Sequence, residues 1–97
     1  MRVIPLKAIP NQRLTVVLND QNCTIRIYQR GDYLYMDLTV DGVEIRRGAI
    51  CLPEINIPAY ESPYFNGVLF FVDMNQRDGI PVYSELNTRY ILCYEVE

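Results

Sequence analysis

The chain has 97 residues, twelve acidic and nine basic groups, a formal net charge of −3 and no histidine. A chain of this length forms one domain with a modest core, because it buries roughly 65% of its unfolded surface. The weak negative charge argues against nucleic acid as a partner, since neutralising a phosphate backbone requires a basic surface. The missing histidine removes the commonest general base and metal ligand, which excludes a Ser-His-Asp or Cys-His catalytic set.

Arginine predominates among the basic residues and tyrosine among the aromatic ones. Eight of the nine basic residues are arginine, Lys7 is the only lysine, and there are eight tyrosines. Tyrosine and arginine are enriched where proteins contact one another, although strand preference alone also explains the tyrosines. Residues 1–48 carry a net charge of +2 and residues 49–97 a net charge of −5, which either orients packing between subunits or reflects scatter over a solvated surface. The composition favours an assembly protein.

Residues 1–11 form an apolar segment interrupted by Pro5 and Pro10. The segment is too short and too interrupted for a secretory signal, and the most apolar run, "GVLFFV", is far shorter than a membrane span. We therefore expect neither a leader peptide nor a membrane partner. Residues that precede proline favour extended backbone, so the pattern predicts an extended N-terminal arm over residues 1–11.

Alternating apolar and polar side chains predict strands over residues 13–18, 23–29 and 33–40, since a period of two is typical of half-buried strands. The alternation puts Tyr28 on the face opposite the apolar side chains of its strand, and Tyr35 and Asp37 on the outward face of theirs. Turns are predicted at residues 19–22 and 30–32. Asp41-Gly42 tolerates the positive φ angles of a type I′ hairpin turn, so a fourth strand should return to about Cys51. Its alternation falters at residues 46–48, which predicts a bulge. Four sequential antiparallel strands make a meander.

The second half is less regular. Three prolines between residues 53 and 67 forbid a central strand there, and a loop of that length usually has a function or is held by a neighbour. Residues 67–73 then predict a strand that is apolar on both faces, either central in the core or covered by another subunit. A second loop covers residues 74–87, and a last strand ends the chain, with a helix from Ser84 as the rival. The pattern predicts one all-β domain over residues 1–97, a small antiparallel β-barrel or sandwich of about six strands.

No motif in the sequence indicates catalysis. Cys23, Cys51 and Cys93 are too far apart for a Cys-x-x-Cys site, and their apolar surroundings predict buried free thiols of a reduced, cytoplasmic protein. Asp37 and Asp73 lie on predicted strands, at positions that alternation assigns to solvent or to a strand end. We therefore predict a protein that is not an enzyme and that holds no cofactor and no metal.

Three stretches resemble a known family: the N-terminal "IPLKAIPNQRLTVVL", the strand "TIRIYQR" and the ending "PVYSELNTRYILCYEVE". The sequence resembles the phage baseplate plug family, small proteins of contractile-tailed phages and prophages. The resemblance implies a structural virion protein of the tail baseplate that is made in the host cytoplasm. It implies a place near the central hub and tube, where the protein mediates assembly. The implied partners are hub, tail tube and neighbouring baseplate subunits, or further copies in a ring.

Within that interpretation, three groups of residues are predicted to contact neighbouring subunits. The apolar side chains of the N-terminal arm would add to a neighbour's sheet edge or groove; the alternative is that the arm folds back across its own domain. Arginines at the predicted bulge would reach acidic neighbours, and aromatic residues of the proline-rich loop would plug a barrel end or contact a subunit. The predicted interface residues are Ile4, Leu6, Ile9, Arg46, Arg47, Tyr60, Tyr64 and Phe65.

A second function stays open on the sequence alone. Exposed aromatic rings bind sugars or peptides in many small β modules, and Tyr60, Tyr64 and Phe65 together with Tyr83 could line such a groove. The alternative is therefore a small carbohydrate- or peptide-binding β domain.

Overall fold

Two antiparallel sheets, packed as a sandwich, make up the chain in the computed structural model, which describes residues 2–53, 55–58, 63–75 and 79–96. The sheets have the orders β2-β3-β4-β5 and β1-β7-β6, and no strand pairing closes them into a barrel within those residues. Of the two predicted architectures the structure therefore shows the sandwich. The strands are β1 (Arg2–Ile4), β2 (Asn11–Leu18), β3 (Gln21–Arg30), β4 (Tyr33–Val40), β5 (Val43–Ile50), β6 (Val68–Asp73) and β7 (Tyr90–Glu95).

The predicted meander is confirmed as the four-stranded sheet. Asp41 and Gly42 have φ angles of 48° and 81°, as a type I′ turn between β4 and β5 requires. The first turn is tighter than predicted, because Asn19 and Asp20 also adopt positive φ and Leu18 pairs directly with Gln21. The predicted bulge in β5 is present as well, since the pairing between β4 and β5 shifts register on either side of Leu38.

The three-stranded sheet brings the two ends of the described chain together. β1 pairs with β7 through Arg2 opposite Tyr94 and Ile4 opposite Leu92. The N-terminal arm thus folds back onto its own domain in this chain, which is the second of the two arrangements considered for it. β6 pairs with the other side of β7, from Val68 opposite Glu95 to Asp73 opposite Tyr90.

The proline-rich loop is held by the edge of β6. The backbone N–H of Ile57 donates to the carbonyl of Leu69 at 2.7 Å, and the N–H of Leu69 donates back at 2.8 Å. Pro53 forms a further bridge opposite Phe71. The loop is therefore tied to its own sheet at Pro53 and Ile57. Where a helix from Ser84 was the rival prediction, there is one short 3₁₀ turn, Tyr83–Glu85, before strand β7.

One hydrophobic core fills the space between the two sheets. Its side chains come from the inward faces of the strands, and Ile25, Ile27, Met36 and Phe71 are fully buried. The three cysteines are free and buried, as predicted. Burial raises the pKa of the Cys51 thiol to about 12, which keeps it protonated at neutral pH. No helix in the part of the chain that the structure describes is long and apolar enough to cross a membrane.

Candidate interaction surface

The outer face of the four-stranded sheet carries an ordered cluster of arginine and tyrosine side chains. Two cross-strand pairs between β3 and β4 build it, Tyr28 opposite Tyr35 and Arg26 opposite Asp37. Side chains alternate between the faces of a strand, so burial of Ile25, Ile27 and their neighbours in the core places these residues outside. We call this surface the Arg/Tyr face, formed by Arg26, Tyr28, Arg30, Tyr35 and Asp37.

The aromatic rings of the Arg/Tyr face are held in place by stacking. The ring centroids of Tyr28 and Tyr35 lie 5.9 Å apart with planes at 26°. The guanidinium carbon of Arg26 lies 4.7 Å from the centroid of the Tyr28 ring, and that of Arg30 lies 5.7 Å from it. Both distances fall within the range of cation–π attraction. Two arginines therefore share one aromatic ring on an open surface.

Asp37 is the polar centre of the Arg/Tyr face. Its Oδ1 accepts hydrogen bonds from the backbone N–H of Gly48 at 2.7 Å and from the Tyr28 hydroxyl at 3.2 Å. The guanidinium of Arg26 lies 3.9 Å from Oδ2. Gly48 can donate because the bulge in β5 turns its backbone, with φ at +66°, a conformation that glycine adopts without strain. The bulge therefore orders the surface of β3 and β4.

Tyr28 keeps its hydroxyl proton at neutral pH. Burial, and then the negative charge of Asp37, raises the pKa of Tyr28 above its usual value. Tyr28 is therefore a hydrogen-bond donor to Asp37 and not an anion. The Arg26 side chain remains 48% exposed and the Asp37 side chain 22%, so the cluster is accessible to a partner. Pre-ordered tyrosine and arginine side chains lose little entropy on binding, which makes them good interface anchors.

A second polar cluster joins β6 to the residue before β7, and the carboxylate at its centre, that of Asp73, is buried. Both carboxylate oxygens of Asp73 accept hydrogen bonds from the Arg89 guanidinium, at 2.9 and 3.0 Å. The backbone N–H groups of Asn75 and Gly79 donate to the same carboxylate. Arg89 and these N–H groups hold the pKa of Asp73 well below its usual range. This cluster fastens Asn75 and Gly79 of the loop after β6 to Arg89, and each oxygen of the Asp73 carboxylate accepts two hydrogen bonds in doing so.

The arm residues predicted as contacts fall into two kinds. Ile4 and Leu6 are 1% and 7% exposed and belong to the core, whereas Ile9 is 40% exposed. In this chain only Ile9 of the three offers its side chain to a neighbour. Ile4 and Leu6 could reach one only if β1 left its own sheet.

The predicted contacts at the bulge lie at the surface. Arg46 and Arg47 are both exposed, and the Arg47 guanidinium lies 4.0 Å from the carboxylate of Glu44. Both arginines come immediately before Gly48, the residue that donates to Asp37. They therefore border the Arg/Tyr face.

The predicted aromatic contacts of the proline-rich loop do not form one surface in the described residues. Tyr64 is 63% exposed, whereas Phe65 is 4% exposed and packs against Tyr94 at 5.8 Å between ring centroids. Tyr60 lies outside the described residues. Tyr83, the fourth ring considered for a groove, is 36% exposed and sits in the 3₁₀ turn.

Sequence reasoning placed Tyr28, Tyr35 and Asp37 on the outward side of their strands and yet did not select them as contacts. The signal that could have found them is the turn at Gly31-Asp32. Counting outwards from the turn pairs Arg30 with Tyr33, and then Tyr28 with Tyr35. Cross-strand neighbours of this kind interact directly.

These features define a class of protein. No group of three or more His, Cys, Asp or Glu side chains within the described ranges could hold a metal ion, and the ordered polar surface is made of arginine and tyrosine. Arginine and tyrosine are enriched where proteins contact one another, so this surface is typical of a protein-binding domain.

A comparison with known families agrees and goes further. The family described as "Cyanophage baseplate Pam3 plug gp18" matches residues 1–97, and the chain belongs to this family. The resemblance noted from the sequence is thereby confirmed. The chain is a structural component of a phage tail baseplate, associates with other baseplate components and acts in the virion. No curated protein matches the chain.

Proposed function

We propose that the chain is a plug-type component near the central hub and tube, where it mediates baseplate assembly through its Arg/Tyr face. The observation that carries this proposal is the ordered cluster around Asp37 on an open sheet surface. Its arginines and stacked tyrosines are of the residue types that anchor protein interfaces, and they are held in place before a partner binds. The partners are hub, tail tube or neighbouring baseplate subunits, and a ring of copies is one way to arrange them.

The interface that we propose extends from the Arg/Tyr face to its borders. Arg46 and Arg47 lie next to Gly48 and are exposed, so acidic side chains of a partner could reach them. Ile9 and Tyr64 are further exposed apolar contacts. Ile4, Leu6 and Phe65 would join the interface only after a rearrangement, because each is buried in the domain.

We propose that this role is purely structural. The three thiols are buried with raised pKa values, and a nucleophilic thiol requires a lowered one. Asp37 and Asp73 lie on different sheets and are each engaged by arginine. After synthesis in the host cytoplasm, the chain would act as a scaffold in the tail.

The alternative of a carbohydrate- or peptide-binding domain draws no support from the described residues. A stacking groove needs several exposed rings on one surface. Of the aromatic residues proposed to bind, Phe65 is buried, whereas Tyr64 and Tyr83 are exposed and lie in different loops, before and after β6. The stacked pair Tyr28 and Tyr35 is flanked by guanidinium groups that suit a protein surface better.

Co-expression of the chain with the hub, tube and baseplate proteins of the same tail gene cluster tests the proposal. We expect the wild-type chain to co-purify with them in a fixed stoichiometry, which mass measurement of the particle would give. The double variant R26Q/Y35A should lose most of this association, because it removes an arginine and a stacked ring from the face. Val3→Ala is the matched control, since Val3 is 49% exposed on the other sheet.

The outcomes separate cleanly once folding of each free variant is checked by circular dichroism. A stable wild-type monomer that never associates would contradict the proposed assembly role. Association that survives R26Q/Y35A but fails with Val3→Ala would place the contact on the other sheet.

A further inference from the structure

The sheet edges of this domain are not equally protected against pairing with another strand. Exposed edges are usually shortened, bulged or covered, because free backbone groups invite strand addition. In the described chain β1 has three residues, β5 is bulged, and β6 is covered by the bridge to Ile57. β2 is different, since its eight residues pair with β3 in an unbroken register.

The hydrogen-bonding direction of each β2 residue follows from the turn at its end. Leu18 and Gln21 flank a two-residue turn, so they exchange hydrogen bonds, and every second pair along the ladder does the same. Residues at the intervening positions, which include Arg13 and Thr15, point their N–H and C=O groups away from β3. Within the described residues, no other backbone group forms a hydrogen bond with the outward N–H and C=O groups of Arg13 and Thr15.

One end of the β2 edge is already occupied. The Arg2 guanidinium donates to the carbonyl of Val17 at 2.7 Å. This contact covers the last outward carbonyl of β2 and leaves those of Arg13 and Thr15 open. The open stretch is long enough for a short added strand, which would make up to four backbone hydrogen bonds with these two residues.

The side chains beside this open stretch indicate what an added strand would carry. On the inner side, Leu14 and Val16 pack against the core but are only partly buried. An added strand would cover them with its own inward apolar side chains. On the outer side, Arg13 is exposed and lies opposite Arg26 in the next strand.

Charge around the β2 edge has one predominant sign. Arg2 reaches Val17 from one end, and Lys7 is held beside β2 because its backbone N–H and C=O bond the side chain of Gln12. Arg13 lies between them, and Asp20 in the turn is the acidic residue at that end. Outward side chains of an added strand would therefore be favoured if they were acidic.

We propose that the edge of β2 binds an extended segment of another baseplate protein, in which inward apolar residues alternate with outward acidic ones. The proposal rests on the proposed function, which supplies the class of partner. Main-chain hydrogen bonds to Arg13 and Thr15 provide affinity, and the apolar and basic surroundings provide specificity. This edge adjoins the Arg/Tyr face, so one partner can engage both.

Thr15→Pro is the decisive variant, with Thr15→Val as its matched control. Proline removes an N–H that points away from β3, so the β2–β3 ladder stays intact, as is usual for proline on edge strands. One lost hydrogen bond corresponds to a loss of up to about tenfold in association with co-expressed baseplate proteins. Thr15→Val keeps the backbone N–H. It should bind within about twofold of the wild type, because no hydrogen bond to the added strand is lost.

Hydrogen exchange of the wild-type chain gives a second measurement that needs no variant. The amides of Arg13 and Thr15 should exchange quickly in the free chain and slowly in the purified particle. The amides of β3 and β4 should be protected in both. Equal exchange of residues 11–17 in the two states would overturn the proposal, while the assembly role would stand if the wild type still co-purified.

The chemistry of the segment is tested by charge. Arg13→Glu should weaken association by about tenfold, since it places like charge beside an acidic strand, whereas Arg13→Lys should leave it within about threefold. Unchanged association of Arg13→Glu would overturn the acidic assignment. Dimerisation of the free chain that Thr15→Pro abolishes would show that a second copy occupies the edge, which would overturn a foreign partner.

Discussion

The two sheets of this domain are specified in different ways. The sheet β2–β5 is built from consecutive strands joined by two-residue turns, so its register follows from local sequence. The sheet β1-β7-β6 joins residues 2–4 to residues 92–94, and such pairs form only after a long loop has closed. The first sheet carries the accessible polar surface, whereas the second carries the buried carboxylate of Asp73, paired with Arg89. The surface therefore stands on the part of the fold that depends least on distant contacts.

The largest expected effect comes from truncating the core that the two sheets share. Phe71 in β6 and Met36 in β4 are both fully buried, so Phe71→Ala should lower the free energy of unfolding by about 3–5 kcal/mol and Met36→Ala by about 2–5 kcal/mol. Urea denaturation followed by both fluorescence and circular dichroism measures this. Because one core joins the sheets, each variant should still unfold in a single transition. Separate transitions for the two probes would show that the sheets fold independently.

The N-terminal strand gives the next largest effect. Ile4 is 1% exposed between the sheets, so Ile4→Ala should lower the stability of the free chain by about 2–5 kcal/mol. Ile9→Ala is the matched control, because Ile9 is 40% exposed and exposed positions usually change stability by less than about 0.5 kcal/mol. Equal, small effects for both variants would mean that β1 is detached in the free chain and available to a neighbour.

The four-stranded sheet could be predicted from the sequence, whereas the pairing in the three-stranded sheet could not. The meander, its type I′ turn at Asp41-Gly42 and its bulge were predictable because alternation and turn residues act over a few positions. Pairing of β1 with β7 was not predictable, since an apolar arm with prolines fits a neighbour's edge as well as its own. The covering of β6 by Ile57 depends on a loop whose sequence carries no period.

The Arg/Tyr face could be predicted from the sequence only in part. Alternation assigned Tyr28, Tyr35 and Asp37 to the outer face, but only the register of the Gly31-Asp32 turn shows that they meet. The hydrogen bond from Gly48 to Asp37 depends on the backbone geometry of the bulge, which the alternation of side chains does not predict. The aromatic residues of the proline-rich loop were predicted as contacts because long loops are often functional. Burial of Phe65 against Tyr94 required tertiary contacts to be known.

The ion pair between Asp73 and Arg89 should give a stability effect that depends on pH. Arg89 holds the pKa of Asp73 well below its usual value, so the charged carboxylate stabilises the folded chain above the unfolded pKa of about 3.9. This contribution is lost as the pH falls through the lower folded value. Asp73→Asn should therefore be clearly less stable than the wild type at pH 7, and the difference should shrink below about pH 4. Urea denaturation at pH 7, 5, 4 and 3 measures it, and a difference independent of pH would contradict the pairing.

The smallest effect is expected for the exposed ion pair between Glu44 and Arg47 in the four-stranded sheet. Glu44 and Arg47 lie 4.0 Å apart with side chains 61% and 79% exposed, and exposed pairs contribute between about 0 and 1 kcal/mol. Arg47→Gln should thus change the free energy of unfolding by less than about 0.5 kcal/mol, and 0.5 M salt should remove the difference.

A near-zero effect of Arg47→Gln on folding would make this variant useful at the interface. Any loss of its co-purification with baseplate proteins would then report a lost contact, because the free chain is as stable as the wild type. Asp73→Asn cannot serve in this way, since it perturbs the fold itself. If Arg47→Gln instead destabilised the free chain as much as Asp73→Asn does at pH 7, the distinction between a binding sheet and a structural sheet would fail at the bulge.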